Sequence, residues 1–153
     1  MTISRRNFFS SLGTSAVYLA VLSSLPSIAW AKWNIKAFTA PNLDAAIKVN
    51  YGDLPIVDSL MVKLKAPSIA ENGAVVPITV ESKLANTKSI SLFVPDNPTP
   101  LVAKFNFSEN SVAKVKTRIR MGKTSEVIAL VEANGKLHRA GKAVKVTIGG
   151  CGG

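Results

Sequence analysis

From Leu60 to Ile148 the apolar residues of this chain recur at every second position, and that period confines most of it to strands. Leu60, Val62 and Leu64 alternate with Met61, Lys63 and Lys65 until Pro67 stops the run, and Glu71-Asn72-Gly73 reads as a turn. Val76, Ile78 and Val80 alternate with Pro77, Thr79 and Glu81. A proline inside a strand has no N–H for the ladder, so Pro77 predicts an edge position or a bulge. Ile90, Leu92 and Val94 form a third strand ending at Pro95-Asp96-Asn97-Pro98, and Ala103, Phe105 and Phe107 a fourth. Ala113, Val115, Thr117, Ile119 and Met121 form the fifth and longest.

The run Val127 to Val131 is almost continuously apolar, as in a strand buried on both faces. Asn134-Gly135 then supplies a hairpin dipeptide, since both residues tolerate positive φ. The returning strand covers Leu137 to Arg139, breaks at Gly141 and resumes at Val144, Val146 and Ile148. Seven short strands at roughly 8–12-residue spacing predict an all-β fold, an immunoglobulin-like antiparallel β-sandwich of about seven strands. With 153 residues, 47% of them hydrophobic and 18% charged, the chain suits one folded unit.

A short N-terminal helix precedes the strands. Thr39 is its expected N-cap, Pro41 fits the first turn, Leu43, Ile47 and Tyr51 share one face, and Gly52 ends it. Residues 32–40 show no period and read as a flexible lead-in. Further upstream, Ser4-Arg5-Arg6-Asn7-Phe8-Phe9 resembles a twin-arginine export signal, followed by apolar and small residues to Ile28. Ala29-Trp30-Ala31 places small residues where a signal peptidase reads, so cleavage is expected after Ala31. Gly13, Thr14, Ser15, Ser23, Ser24 and Pro26 interrupt the apolar stretch, which argues against a membrane anchor of about 20 apolar residues. The expected organisation is a cleaved signal at 1–31, a β-sandwich domain at 32–148, and a flexible arm at 149–153. The expected location is the periplasm.

One cysteine allows no internal disulfide, and in an oxidising compartment an unpaired thiol either joins another chain or reacts in its own right. Cys151 sits between Gly149-Gly150 and Gly152-Gly153, on the residue type with the least bulk and the widest backbone freedom. Five extended residues reach roughly 17 Å, enough to enter a channel on another protein. Ordering each residue costs about 1–2 kcal/mol, which favours weak, reversible docking. No cation adjoins Cys151 in sequence, so its thiol is expected near the ordinary value of about 8.5. Two other readings stand beside a carrier arm. One is an intermolecular cross-link; the other is a ubiquitin-like sulfur carrier using a Gly-Gly carboxylate, against which the export signal and the strand pattern count.

The twin-arginine leader, Ile69-Ala70-Glu71-Asn72-Gly73 followed by Val76-Pro77-Ile78-Thr79-Val80, Thr117-Arg118-Ile119-Arg120, and Val144 through Gly153 together resemble the SoxY family. These are sulfur-carrier subunits of the periplasmic Sox thiosulfate-oxidation system. The resemblance implies that Cys151 is the covalent attachment point and that a related subunit, SoxZ, completes a heterodimer. It implies transient docking to a SoxAX-like c-type cytochrome that couples thiosulfate to Cys151, to a SoxB-like hydrolase that releases sulfate, and to later sulfur-processing enzymes. On this reading the chain is a carrier and no enzyme, with no cofactor, metal or haem of its own. The alternative from another class is a secreted immunoglobulin-like binding or assembly module whose cysteine is a cross-link.

Other constellations are weaker. Lys114, Lys116, Arg118 and Arg120 alternate on the longest strand and fit either a solvated sheet face or a track that steers an acidic partner. Exposed aromatics do not interleave with them, so nucleic acid is an unsuitable ligand, and none is expected. His138 is the single histidine; a base must lie within about 2.6–3.2 Å of its nucleophile, and a glycine arm does not hold that geometry. One His and one Cys are too few ligands for a metal. Phe105 and Phe107 fit core packing, whereas Trp33, Phe38 and Tyr51 are candidates to meet a partner subunit, with the helix at 39–51 and the exposed strand faces as the expected interface.

Overall fold

The continuous apolar run becomes the middle of β8 (Ser125–Ala133), and both faces of that strand are buried. Val127, Ala129 and Val131 face one core, while Ile128 and Leu130 face a second on the other side. The protein, a computed structural model, is described here over residues 34–148. Arg5, Arg6, the cleavage position after Ala31, Trp33 and Gly149 to Gly153, including Cys151, lie outside the described residues.

Around β8 the larger sheet is assembled from β1 (Ile56–Asp58), β9 (Lys136–Ile148), β8, β5 (Thr87–Phe93) and β6 (Leu101–Asn106), in that order. β3 (Ile69–Asn72) joins the same edge of β9 further along. A smaller sheet of β2 (Val62–Lys65), β4 (Val76–Ser82) and β7 (Lys114–Ile119) packs against it. The main core lies between them: Val76, Ile78, Val80, Val115 and Ile119 meet Ile90, Leu92, Val127, Ala129 and Val144. Phe105 and Phe107 pack against this core, as their alternation predicts.

The fold is the expected all-β sandwich with a short helical segment ahead of it, and the structure adds detail that the period alone did not contain. β1 and β3 are two further strands, and both run parallel to β9. The chain reaches β9 at β1, crosses to the smaller sheet as β2 and returns to β9 as β3. Ile69 to Asn72 is therefore strand where a turn was expected from Glu71, and the turn begins at Gly73 as a 3₁₀ segment, Gly73–Val75. The Asn72 side chain accepts a hydrogen bond from the Ala74 amide at 2.8 Å and bends the chain there. Pro77 lies in the central strand of the smaller sheet, but β2 pairs only with Thr79 to Ser82. On that side Pro77 is locally an edge residue and its missing N–H breaks no ladder. Asn134 and Gly135 have φ of 50° and 73°, the pair of left-handed residues that a two-residue hairpin demands.

β9 is not broken at Gly141; it is one strand of 13 residues. A side chain at Gly141 would collide with the Glu126 carboxylate, which lies over the backbone there. Both oxygens of Glu126 accept from Arg139 Nη2 at 2.9 Å, and Arg139 also meets Asp58. The glycine makes room for this pair, so it marks a close approach within the strand.

The second core seats two helices on the outer face of the larger sheet. α1 (Ile35–Phe38) occupies residues expected to be a flexible lead-in, and α2 (Leu43–Tyr51) follows. Ala37, Ala40 and Ala46 pack on Phe93, Leu101, Ile128, Leu130 and Leu137, and Phe38 also adjoins this cluster. Thr39 caps the end of α1 instead of starting a helix, because its hydroxyl donates to the Ile35 carbonyl at 3.0 Å. Asn42 is the N-cap of α2, its side chain accepting from the Ala45 amide at 2.8 Å. Gly52, with φ of 67°, ends α2 as expected.

Tyr51 is buried beneath α2 and does not offer a surface to a partner. Its hydroxyl hydrogen-bonds Ser91 Oγ at 2.6 Å and Ser89 Oγ at 3.2 Å; Ser89 in turn donates to Glu132 at 3.0 Å. The Lys104 ammonium lies 4.4 Å over the ring and donates to Asn50. Burial pushes the Tyr51 pKa above its ordinary value, opposed by the two serines. A raised folded value means that this group's contribution to stability is complete below about pH 10, where an unfolded tyrosine ionises, and is lost as pH rises through the folded value. Tyr51→Phe is expected to lower unfolding free energy by about 1–2 kcal/mol at neutral pH and to flatten the loss of stability on the alkaline side. Urea titrations at a series of pH values measure both; an unchanged alkaline slope would assign that slope to other groups.

Candidate functional site

The chain reaches Cys151 from β9, and the structure shows how the root of that segment is held. Val144 is buried and Val146 packs on the main core, whereas Ile148, next in the same alternation, is 65% exposed because it has passed the edge of the sandwich. β3 pairs alongside, Ile69 with Lys145, Ala70 with Val146 and Asn72 with Ile148. The Lys145 amide donates to the Ser68 carbonyl at 2.9 Å, and Thr147 Oγ1 donates to the Glu71 carbonyl at 3.1 Å. On the opposite edge β8 has already ended, and Thr124 substitutes for it by accepting from the Val146 amide at 3.0 Å. The last residues of β9 are therefore bonded on both sides.

The second sheet reaches the same place. Gly73, directly after Asn72, accepts from the Met121 amide at 2.7 Å, which ties the end of β7 to the root. Asn97 fixes that end as well, donating to the Arg120 carbonyl at 2.8 Å and accepting from the Gly122 amide at 2.9 Å. Lys142 closes the gap between β1 and β3 by donating to the Ala66 carbonyl. Anything attached beyond Ile148 is thus carried on a fixed corner of the sandwich.

His138 lies ten residues back along β9, opposite Val131. Strand geometry puts it about 33 Å from Ile148, whereas three residues of chain extend at most about 11 Å to Cys151. His138 is out of reach as a base for that thiol. Both its ring nitrogens are buried without a hydrogen-bond partner among the described residues. No group of three His, Cys, Asp or Glu side chains is placed to hold a metal among the described residues, and no helix there is long and apolar enough to cross a membrane.

The four cations of the fifth predicted strand are exposed on β7 and its continuation, as the alternation predicts. The structure adds two that strand-by-strand reading missed: Lys63 and Lys65 of β2 lie on the same face. Their signal was present, since both alternate with Val62 and Leu64, but cross-strand register is needed to bring them beside Lys114 and Lys116.

A family model for the sulfur oxidation protein SoxY matches residues 31–151. Among solved structures, the sulfur carrier protein SoxY from Chlorobium limicola f thiosulfatophilum is similar at 46% identity. That match covers 71% of this chain and 99% of the other, with a TM-score of 0.65. A variant of a superoxide reductase (neelaredoxin) from Ignicoccus hospitalis is similar at 16% identity over 60% of this chain and 94% of its own, with a TM-score of 0.51, a likeness of fold alone. No curated protein matches.

Proposed function

The chain belongs to the SoxY family of sulfur oxidation proteins, and from that premise we propose that it carries thiosulfate-derived sulfur covalently on Cys151 and presents it to partner enzymes. The observation that carries the reading is the placement of the lone thiol. It is three residues beyond a strand end that is bonded on both edges, on glycines that add reach without bulk. A fixed root and a narrow tether let one thiol visit several active sites while the sandwich serves as the handle.

In the first step a sulfur–sulfur bond forms between Cys151 Sγ and the outer sulfur of thiosulfate. The thiol proton leaves, and two electrons pass, one at a time, to a SoxAX-like c-type cytochrome, the oxidant. In the second, water attacks the terminal sulfone on a SoxB-like hydrolase; the bond between that sulfone and the inner sulfur breaks, sulfate and protons leave, and a persulfide stays on Cys151. The chemistry of both steps sits in the partners, and this chain supplies a nucleophile and its delivery. A SoxZ-like subunit completes the heterodimer. Arg5 and Arg6 direct export by the twin-arginine route, cleavage follows Ala31, and the mature domain from 32 works in the periplasm with the arm at 149–153.

Intact-mass measurement of the protein from thiosulfate-exposed cells tests the reading. The expected result is added sulfur or thiosulfonate mass on Cys151; a chain that is unmodified, or only disulfide-linked to a second copy, overturns it in favour of a cross-linking module.

A further inference from the structure

The outer face of the smaller sheet is built from cations. Register sets them in rungs: Lys63, Glu81 and Lys114 lie side by side, then Lys65, Thr79 and Lys116, then Pro77 and Arg118, with Arg120 one step further on. Val62, Val76, Ile78, Val80, Val115 and Ile119 point the other way into the core, so alternation holds these cations on the solvent side. With strands about 4.8 Å apart and alternate residues about 6.6–6.8 Å apart, the six charges cover roughly 10 by 20 Å.

One carboxylate stands among them, Glu81, 3.2 Å from Lys114. Its hydrogen bond to Lys114 holds its pKa below the usual range, and Lys63 adds to that effect. Lys63, Lys65, Lys116, Arg118 and Arg120 make no ion pair among the described residues. Three cations elsewhere do meet acids: Arg139 pairs with Asp58 and Glu126, Lys123 with Asp96 and Lys48 with Asp53. β4 separates the cations of β2 from those of β7, so the like charges stand about 6.6–6.8 Å apart along a strand and roughly 10 Å apart across the sheet, with Glu81 the single acid among them.

The patch also points somewhere. Its Arg118 and Arg120 end is the end of β7 tied through Met121 to Gly73, next to the Asn72–Ile148 pair at the arm root. We propose that this face docks an acidic patch on the enzyme that loads the arm, an inference that rests on the carrier reading above. Such docking sets the enzyme beside the arm root, within roughly the 17 Å that five residues span. A second copy of the chain would bring cations against cations, and no aromatic side chain stands among these residues to stack a nucleotide base.

The test uses the full chain and a thiosulfate-loading cytochrome of the Sox type, following thiosulfonate on Cys151 by intact mass. Raising sodium chloride from about 20 to about 300 mM shortens the screening length and is expected to slow wild-type loading by roughly tenfold. The double variant K116E/R118E is expected to load about tenfold more slowly at low salt and to lose most of the salt dependence. The neutral pair K116Q/R118Q should fall between, and Lys136→Glu, at the far end of β9, should load at the wild-type rate. Equal rates and equal salt slopes for wild type and K116E/R118E would overturn the proposal. So would sulfate slowing loading more than chloride at matched ionic strength, which would mark a small-anion site. A wild-type chain that takes no cargo at any salt would instead overturn the carrier reading itself.

Discussion

Cys151→Ser is expected to abolish cargo loading completely, with no thiosulfonate or persulfide mass at any time point, while thermal unfolding stays at the wild-type temperature. The two halves have separate physical reasons. Serine oxygen does not form the sulfur–sulfur bond on which the carrier depends, so the loss is total and not graded. Residue 151 lies past Ile148, itself 65% exposed where β9 has left the core, so the substitution changes no residue of either described core cluster. Mass spectrometry after incubation with the loading enzyme and thiosulfate, beside a thermal melt, reads both. A serine variant that still gains sulfur would move the cargo to another group, as in carriers that use a Gly-Gly carboxylate, and would sink the assignment of Cys151.

Phe93→Ala is expected to cost about 3–5 kcal/mol, because it removes a large, fully buried ring and leaves a cavity that its neighbours do not fill. Phe93 ends β5, where a register shift after Leu92 accompanies the turn of its ring toward the helices, while Leu92 and Val94 stay in the main core. Its cluster includes three alanines, Ala37, Ala40 and Ala46, whose single methyl groups have no length with which to reach into the gap. Against the 5–15 kcal/mol that typical domains possess, a loss of this size is a large fraction of the total. Urea unfolding is expected to show a lower midpoint with the slope little changed. A loss below about 1 kcal/mol would mean that the helices contribute little to the packing around this ring.

The strands that strict alternation or an unbroken apolar run announced are in place: Val76 to Val80, Ile90 to Val94, Ala113 to Met121 and Val127 to Val131 all fall in or beside β4, β5, β7 and β8. Their period of two is a local property, since it reflects which face each residue turns to a core. The hairpin at Asn134-Gly135 was legible for the same reason, as its backbone demand is met by two adjacent residue types. Gly141 misled because a glycine that admits a carboxylate from the next strand looks, in one dimension, like a glycine that breaks its own. β1 and β3 were illegible because they are short and pair only with β9, far along the chain. The residues of α1 carry no period, and the helix is seated by Ala37, with Ala40 just beyond its end, fitting the larger sheet.

By itself the sequence determined the all-β class, the two-faced burial of β8 and the lone thiol on its glycine tether, because each depends on residue type and spacing within one segment. Only the tertiary structure decided which face each strand shares. It carried Lys63 and Lys65 to the side of Lys114 and Lys116, buried Tyr51 over Ser89 and Ser91, and removed His138 from the reach of Cys151. It also held Val146 between β3 and Thr124 and paired Ile148 with Asn72, which gives the glycine segment its rigid point of departure. Pairing register and sheet order arise from contacts between residues far apart in the chain, and no local period contains them.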